Sequence, residues 1–329
     1  MADRDHGPDR TAAIDAVQRA MAACRAAQGR LGEGQTILKA DMSPVTIADL
    51  AAQVVVNATL AEAFGDAFAM VAEEDPETAR ADPQIARAVA ELAESGLGHR
   101  VDDAEVARVL GLGRGDGRAP SRFWTLDPID GTKGFIRGDQ YAVALALIEH
   151  GTVVLGALGC PNLPNPDGSI GALLIADEQS AEIITDTGRS PARVHSPERL
   201  SEARLCESVE AAHSDQHLSA RIAAVLGIET EPYRIDSQCK YAAVARGDAS
   251  IYLRLPTRPD YRENIWDHAP GAIAVTRAGG RVTDVHGAPL EFSHGARLER
   301  NHGIVATDGR FHDEVIDAIA EILGEHHSD

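Results

Sequence analysis

The stretch Trp124-Thr125-Leu126-Asp127-Pro128-Ile129-Asp130-Gly131-Thr132-Lys133-Gly134-Phe135 constrains this chain more than any other. Phe123, Trp124 and Leu126 form an apolar lead-in, the pattern of a strand entering a core. Pro128 is expected to stop that strand, and Gly131 permits a tight turn. Asp127 and Asp130 then leave a buried strand end together, with the Ile129 carbonyl between them able to face the same side. Three oxygen donors in a small volume suit a hard divalent cation such as Mg2+, and the Thr132 hydroxyl lies close by. Asp-Pro and Asp-Gly are also ordinary dipeptides of solvated turns. The flanks favour a buried base, because Gly134-Phe135-Ile136 and the apolar run from Tyr141 to Ile148 follow the turn directly.

Before this stretch the chain reads as helix and loop. Ile14, Val17, Met21 and Cys24 recur at helical spacing, and a second helix is expected from Ile47 to Phe64 after a break at Ser43-Pro44. Thr46-x-x-Asp49 fits a capping box at the start of that helix. Phe68 to Ala72 reads as a strand closed by Glu73-Glu74-Asp75, three acids that either point into water or share a cation. Helices are expected over Gln84 to Ser95 and Asp103 to Leu110, followed by a glycine-rich surface flap from Gly111 to Gly117.

After it come Tyr141 to Glu149, Val153 to Gly159, Ala172 to Ala176 and Ala181 to Ile184, strands with little helix between them. Such a run predicts an antiparallel meander. A boundary is expected near Arg193, giving domains over 1–192 and 193–329. The second part alternates strand and helix, with helices over Asp215 to Leu226 and Ser237 to Arg246. Ser237 and Lys240 would share the first turn of the latter, whose amides favour a phosphate. Tyr241 reads equally as core. Trp266-Asp267 is expected to open a helix running to Ala278. Asp267 is there either an N-cap or, held against the core by Trp266, a metal carboxylate. The overall prediction is a layered α+β and α/β sandwich, with a largely antiparallel N-terminal sheet and an α/β C-terminal part.

Asp127-Pro128-Ile129-Asp130-Gly131-Thr132 resembles the signature of the lithium-sensitive, Mg2+-dependent phosphatases of the inositol monophosphatase superfamily. Three further segments agree with it in order: Asp41-x-Ser43-Pro44-Val45-Thr46-x-Ala48-Asp49, Val71-Ala72-Glu73-Glu74-Asp75, and Trp266-Asp267-His268-Ala269-Pro270-Gly271 with Gly279-Gly280 behind it. Lys133-Gly134-Phe135 after the threonine is similar to the 3'(2'),5'-bisphosphate nucleotidase branch, as are Asp236-Ser237-Gln238-Cys239-Lys240-Tyr241 and Tyr252-Leu253-Arg254. Asp75 stands where serine is common in the family.

The resemblance implies an αβαβα fold and a cage of two or three Mg2+ ions held by Glu73, Asp127, the Ile129 carbonyl, Asp130 and Asp267, with Glu74 behind Glu73. It also implies that Asp49 and Thr132 orient the attacking water. Gly131, Thr132, His213, Ser237, Lys240 and Arg254 would contact the nucleotide. The implied reaction is removal of the 3'-phosphate of adenosine 3',5'-bisphosphate, and of its sulfated relative, without a phosphoenzyme. Rival readings are an inositol phosphate or other sugar phosphatase, and a nucleotide-binding regulator without catalysis.

Composition narrows the partners. A formal net charge of −20 over 329 residues repels nucleic-acid polymers and anionic membranes. A small polyanion remains a possible substrate if cations receive it. Cys24, Cys160, Cys206 and Cys239 lie far apart, which predicts neither a zinc site nor a disulfide framework. No apolar run is expected to reach the ~20 residues of a membrane span, and the charged N-terminus lacks a signal core. A soluble, cytoplasmic, monomeric protein is expected.

Overall fold

The computed structural model describes residues 6–32, 44–75, 77–112, 115–118, 121–209, 216–256, 258 and 260–326. Its first sheet has seven strands in sequential order: β1 (Met70–Ala72), β2 (Arg122–Asp130), β3 (Ala142–Glu149), β4 (Thr152–Pro164), β5 (Ile170–Asp177), β6 (Ala181–Thr185) and β7 (Gly188–Pro191). From β2 onward every pairing is antiparallel, as the closely spaced strands predict. β1 differs: it pairs with β2 in parallel, with Ala72 opposite Leu126. β7, which follows β6 ahead of the boundary expected near Arg193, returns through a tight hairpin in which Thr185 pairs with Gly188.

Pro128 does not stop β2. Asp127 faces Ala144 and Asp130 faces Ala142, so three steps along β2 oppose two along β3, and the proline sits in the resulting bulge. A bulge leaves one residue out of the ladder, so the missing N–H of proline costs no hydrogen bond there.

Strict alternation along the strands builds the layers. Val143, Leu145 and Leu147 of β3 pack into one core, with helices α1 (Gly7–Gly32), α2 (Pro44–Phe64), the short α3 (Glu77–Ala81), α4 (Pro83–Leu97) and α5 (Asp103–Gly111). Ala142, Ala144, Ala146 and Ile148 face the opposite way, into a middle core. The turn after β2 winds into a short helix, α6 (Thr132–Arg137).

The middle core contains α8 (Cys239–Arg246) and α9 (Ala269–Arg277) and is closed by the second sheet. That sheet runs β11 (Arg281–Thr283), β12 (Ile304–Thr307), β10 (Ile251–Arg254), β8 (Leu205–Glu207), β9 (Tyr233–Arg234). Ile304, Ala306 and Tyr252 point inward. Val305, Ile251 and Leu253 point outward to α7 (Gln216–Val225) and α10 (His312–His326). The order helix, sheet, helix, sheet, helix is the expected αβαβα sandwich. Two glycines of β4 set its spacing. A Cβ on Gly159 would meet Val17 Cγ1 at 2.6 Å, and one on Gly156 would meet the Pro270 carbonyl at 2.9 Å. Helices α1 and α9 therefore press closely on opposite faces of the same strand.

Several local expectations shift. α2 starts at Pro44, so Thr46 and Asp49 lie inside the helix and the capping-box reading fails. α9 starts at Ala269 with His268 as its N-cap, so Asp267 precedes the helix instead of capping it. The segment Thr46–Phe64 is, by length and composition, long and apolar enough to cross a membrane, contrary to expectation. It is apolar because it is a core helix, with 78 % of its most apolar window buried inside the protein. The described part of the glycine-rich flap is pinned, since Gly115 N–H donates to the Met70 carbonyl at 2.6 Å.

Candidate active site

Two strand ends start the site. Because β1 and β2 run in parallel, their C-terminal ends lie side by side, and Glu73 N–H donates to the Leu126 carbonyl at 3.1 Å. Glu73 therefore emerges beside Asp127. The bulge does the next step: residues three apart on a regular strand face opposite sides, and one extra residue restores Asp127 and Asp130 to the same side. Ile129 N–H donates to Asp127 Oδ1 at 3.1 Å, which fixes the bend. Asp267 arrives from the second half of the chain, just ahead of α9.

These groups line one cavity of about 480 Å³. The cavity brings together Glu73, Asp127, Ile129, Asp130 and Asp267 with Gly131 and Thr132 at the head of α6, and with Ser237, Lys240 and Arg254. Asp49 and Glu74 stand behind that lining. Asp49 is buried and feels the charges of Glu74 and Glu73, while Gln53 Nε2 donates to the Glu74 carbonyl at 3.3 Å. Among the described residues Asp49 makes no hydrogen bond to Thr132, which is exposed. His213 lies outside the described residues, as do Asp41 to Ser43.

Burial and mutual repulsion dominate the electrostatics. Burial pushes the Asp127 carboxyl well above the usual carboxylate range, and the charges of Glu73, Asp130 and Asp267 push it further. Glu73 is raised by burial and by the charges of Glu74 and Asp130, with Asp127 pulling it back in part. Asp267 is pushed up to about 6, by burial first and then by Asp130 and Glu73, against the pull of His268 and Arg254. Asp130 is raised by burial and partly relieved by Lys240, Arg254 and a backbone N–H. Four crowded acids of this kind, all oxygen donors, fit a divalent cation that would cancel the repulsion.

The backbone around Asp130 is as specific as the side chains. Gln238 N–H donates to Asp130 Oδ2 at 2.5 Å. Helix α8 begins at Cys239, so Ser237 precedes the helix instead of sharing its first turn with Lys240. Ser237 is held at φ 63°, a strained conformation for a residue other than glycine. Its Cβ would lie 2.7 Å from a Cβ on Gly131, itself at φ 92°. A Cβ on Gly134 would meet the Gln140 carbonyl at 2.2 Å. Gly131 thus lets the acidic turn seat against Ser237, and Gly134 lets α6 close on the backbone ahead of β3.

Lys240 Nζ donates to Ser208 Oγ at 3.1 Å and lies 5.4 Å from the centre of the Tyr252 ring. Arg254 Nε lies 2.8 Å from Glu263 Oε2, and its Nη2 lies 3.8 Å from Asp267 Oδ2. Sequence reasoning missed Glu263 and His268. Together with Asp267 they bring one ligand atom each within 4.8 Å of one another, a potential metal-binding group. Asp236, also missed, accepts from Arg137 and, at 3.0 Å, from Val209 N–H. Asp236 opens the Ser237 to Lys240 run and His268 follows Asp267 in its motif, so both were legible as neighbours; Glu263 carried no local signal.

Known proteins resemble this chain along nearly its whole length. A 3'(2'),5'-bisphosphate nucleotidase of Oryza sativa is 41 % identical over 350 residues, covering 98 % of this chain and 97 % of its own. The 3'(2'),5'-bisphosphate nucleotidase 1 of Arabidopsis thaliana is 43 % identical over 293 residues, covering 82 % of this chain and 83 % of its own. In fold, the solved structure of Mycobacterium tuberculosis SuhB matches with a TM-score of 0.63 at 20 % identity, over 97 % of this chain and 98 % of that one. Residues 9–324 match the inositol monophosphatase family from end to end of the sandwich, and the chain belongs to that family.

Proposed function

We propose that the chain is a Mg2+-dependent phosphomonoesterase that removes the 3'-phosphate of adenosine 3',5'-bisphosphate, and of its sulfated relative, leaving AMP or its sulfated counterpart and phosphate. The observation that carries this reading is the meeting, in one cavity, of four acids, Asp127 buried, Asp130 and Asp267 half-buried and Glu73 at the exposed edge, with Lys240 and Arg254. One group of charges suits cations at the reacting phosphate; the other suits a second phosphate. The names of the relatives from Oryza sativa and Arabidopsis thaliana support the substrate class.

Glu73, Asp127 and the Ile129 carbonyl would hold one Mg2+, and Asp127, Asp130 and Asp267 another, with a third near Glu73. When bound, such ions supply Lewis acidity at phosphoryl oxygens and lower the pKa of water. The remaining work falls to the chain. Thr132 Oγ1 would orient the attacking water, and Asp49, raised by burial and by Glu74 and Glu73, would receive its proton. Burial of Asp127 within β2 weakens the screening of its charge by bulk water. Lys240 and Arg254, with Ser237, would hold the phosphate that does not react.

Phosphate release from adenosine 3',5'-bisphosphate, 3'-AMP and inositol 1-phosphate, each with Mg2+ and with EDTA, tests the reading. Metal-dependent release with the bisphosphate preferred is expected. A preference for inositol 1-phosphate would assign the site to the sugar phosphatases, and tight binding without turnover would assign it to a regulator.

A further inference from the structure

Arg254 has two ends with different surroundings. Its guanidinium is held at one end, where Glu263 Oε2 lies 2.8 Å from Nε, while the residue lines the cavity and its Nη2 lies 3.8 Å from Asp267 Oδ2. Glu263 is in turn fixed by His268, whose Nε2 lies 3.3 Å from the same Oε2 and whose Nδ1 lies 2.9 Å from the Tyr241 hydroxyl. His268 and Tyr241 are fully buried, and Glu263 is nearly so. The chain ends in packing: the Tyr241 ring meets Tyr252 edge-on at 5.0 Å, and a Cβ on Gly271 would meet Tyr241 Cδ2 at 2.2 Å. A guanidinium bound through Nε has lost its freedom to turn, and its two remaining nitrogens point one way.

We propose that Glu263 is a positioning residue that aims Arg254 at the second phosphate of the substrate, and so sets the preference for a bisphosphate over a monophosphate. This rests on the function proposed above. Glu263 need not touch substrate; it acts through Arg254, with His268 and Tyr241 bracing it. A competing role is conceivable from charge alone. An anion beside Arg254 weakens the attraction of Arg254 for phosphate, so a purely electrostatic Glu263 would oppose binding, and its neutralisation would strengthen it.

Two substitutions separate these roles. Glu263→Gln removes the charge and keeps an acceptor oxygen at the same reach, whereas Glu263→Asp keeps the charge and withdraws the acceptor by one methylene. The readout is the ratio of kcat/KM for adenosine 3',5'-bisphosphate to that for 3'-AMP, two substrates that differ in the second phosphate. Glu263→Asp is expected to lower the ratio about tenfold, chiefly through KM for the bisphosphate, and Glu263→Gln by less than about threefold. Neither is expected to move it once Arg254→Ala is present, because the effect passes through that side chain.

An unchanged ratio in Glu263→Asp overturns the inference. So does a rise in Glu263→Gln, or a shift that persists without Arg254. A general packing defect lowers both substrates alike and leaves the ratio in place. If the wild type releases no phosphate from either nucleotide, the proposed reaction fails. The positioning role is then read from the same ratio of dissociation constants, measured by calorimetry with the two nucleotides, and an equal affinity for both overturns it.

Discussion

Replacing Asp267 by asparagine should make the metal-free protein more stable at neutral pH while removing its response to divalent cations. The Asp267 side chain is 15 % exposed, and its carboxyl is pushed up to about 6 from an ordinary 3.8 by burial, then by Asp130 and Glu73. A folded-state pKa above the unfolded one means that the native protein holds the proton more tightly. Stability from this group is therefore complete below about pH 4 and is lost as the pH climbs to about 6. The gap of 6 − 3.8 = 2.2 pH units, at about 1.36 kcal/mol each, is roughly 3 kcal/mol. Asparagine does not titrate, and it can still accept from Asn264 Nδ2, which lies 3.4 Å from Asp267 Oδ2. Urea unfolding of both proteins in EDTA, at about pH 4 and about pH 7.5, measures the difference. The variant should gain roughly 3 kcal/mol on the wild type between the two conditions. Saturating Mg2+ should reverse the order, since a cation at about a thousand times its Kd adds about 4.1 kcal/mol to the protein that binds it. Parallel pH curves would refute the claim that Asp267 is held ionised against burial and its neighbours, and an equal Mg2+ response would remove it from the cation cage.

Asp127→Asn should fold and lose at least about a hundredfold in turnover, because the residue would serve both cations at once; near-normal phosphate release in that variant refutes its assignment. Gly134→Ala drives a Cβ to 2.2 Å from the Gln140 carbonyl, a backbone atom that cannot rotate away. About 1 to 3 kcal/mol of destabilisation by urea unfolding is expected, with activity lowered as α6, which follows the acidic turn directly, is pushed off the Gln140 backbone.

The layers were legible because burial writes itself into the period of the sequence. β3 carries Val143, Leu145 and Leu147 on one face and small alanines on the other, and that alternation alone implies a strand covered on both sides. What stayed hidden depends on partners remote in the chain. Pro128 reads locally as a stop; only the facing β3, two residues to three, turns it into a bulge. Thr46 and Asp49 have the spacing of a cap, and the helix that begins at Pro44 overrides it. Ser237 looks like the head of a helix because nothing in its neighbourhood announces that Asp130, from the other sheet, takes the Gln238 amide. Glu263 and His268 belong to the same category: an acid and a histidine five apart are unremarkable until Arg254 is placed between the pair and the cavity.

The parallel pairing of β1 and β2 explains why an otherwise antiparallel sheet needs its one exception. In a meander, neighbouring strands end on opposite edges, so two acids at consecutive strand ends would lie a strand's length apart. Running β1 alongside β2 in the same direction puts Glu73 and Asp127 at one edge, and the bulge then turns Asp130 to join them. Parallel strands cannot be joined by a hairpin; they require a long connection. Here that connection carries α3, α4 and α5, and their apolar sides, including Val89, Leu92 and Val106, pack into the same core as Leu126 and Leu145. The least distinctive part of the sequence, between the two acidic motifs, is thus the length of chain that lets those motifs meet.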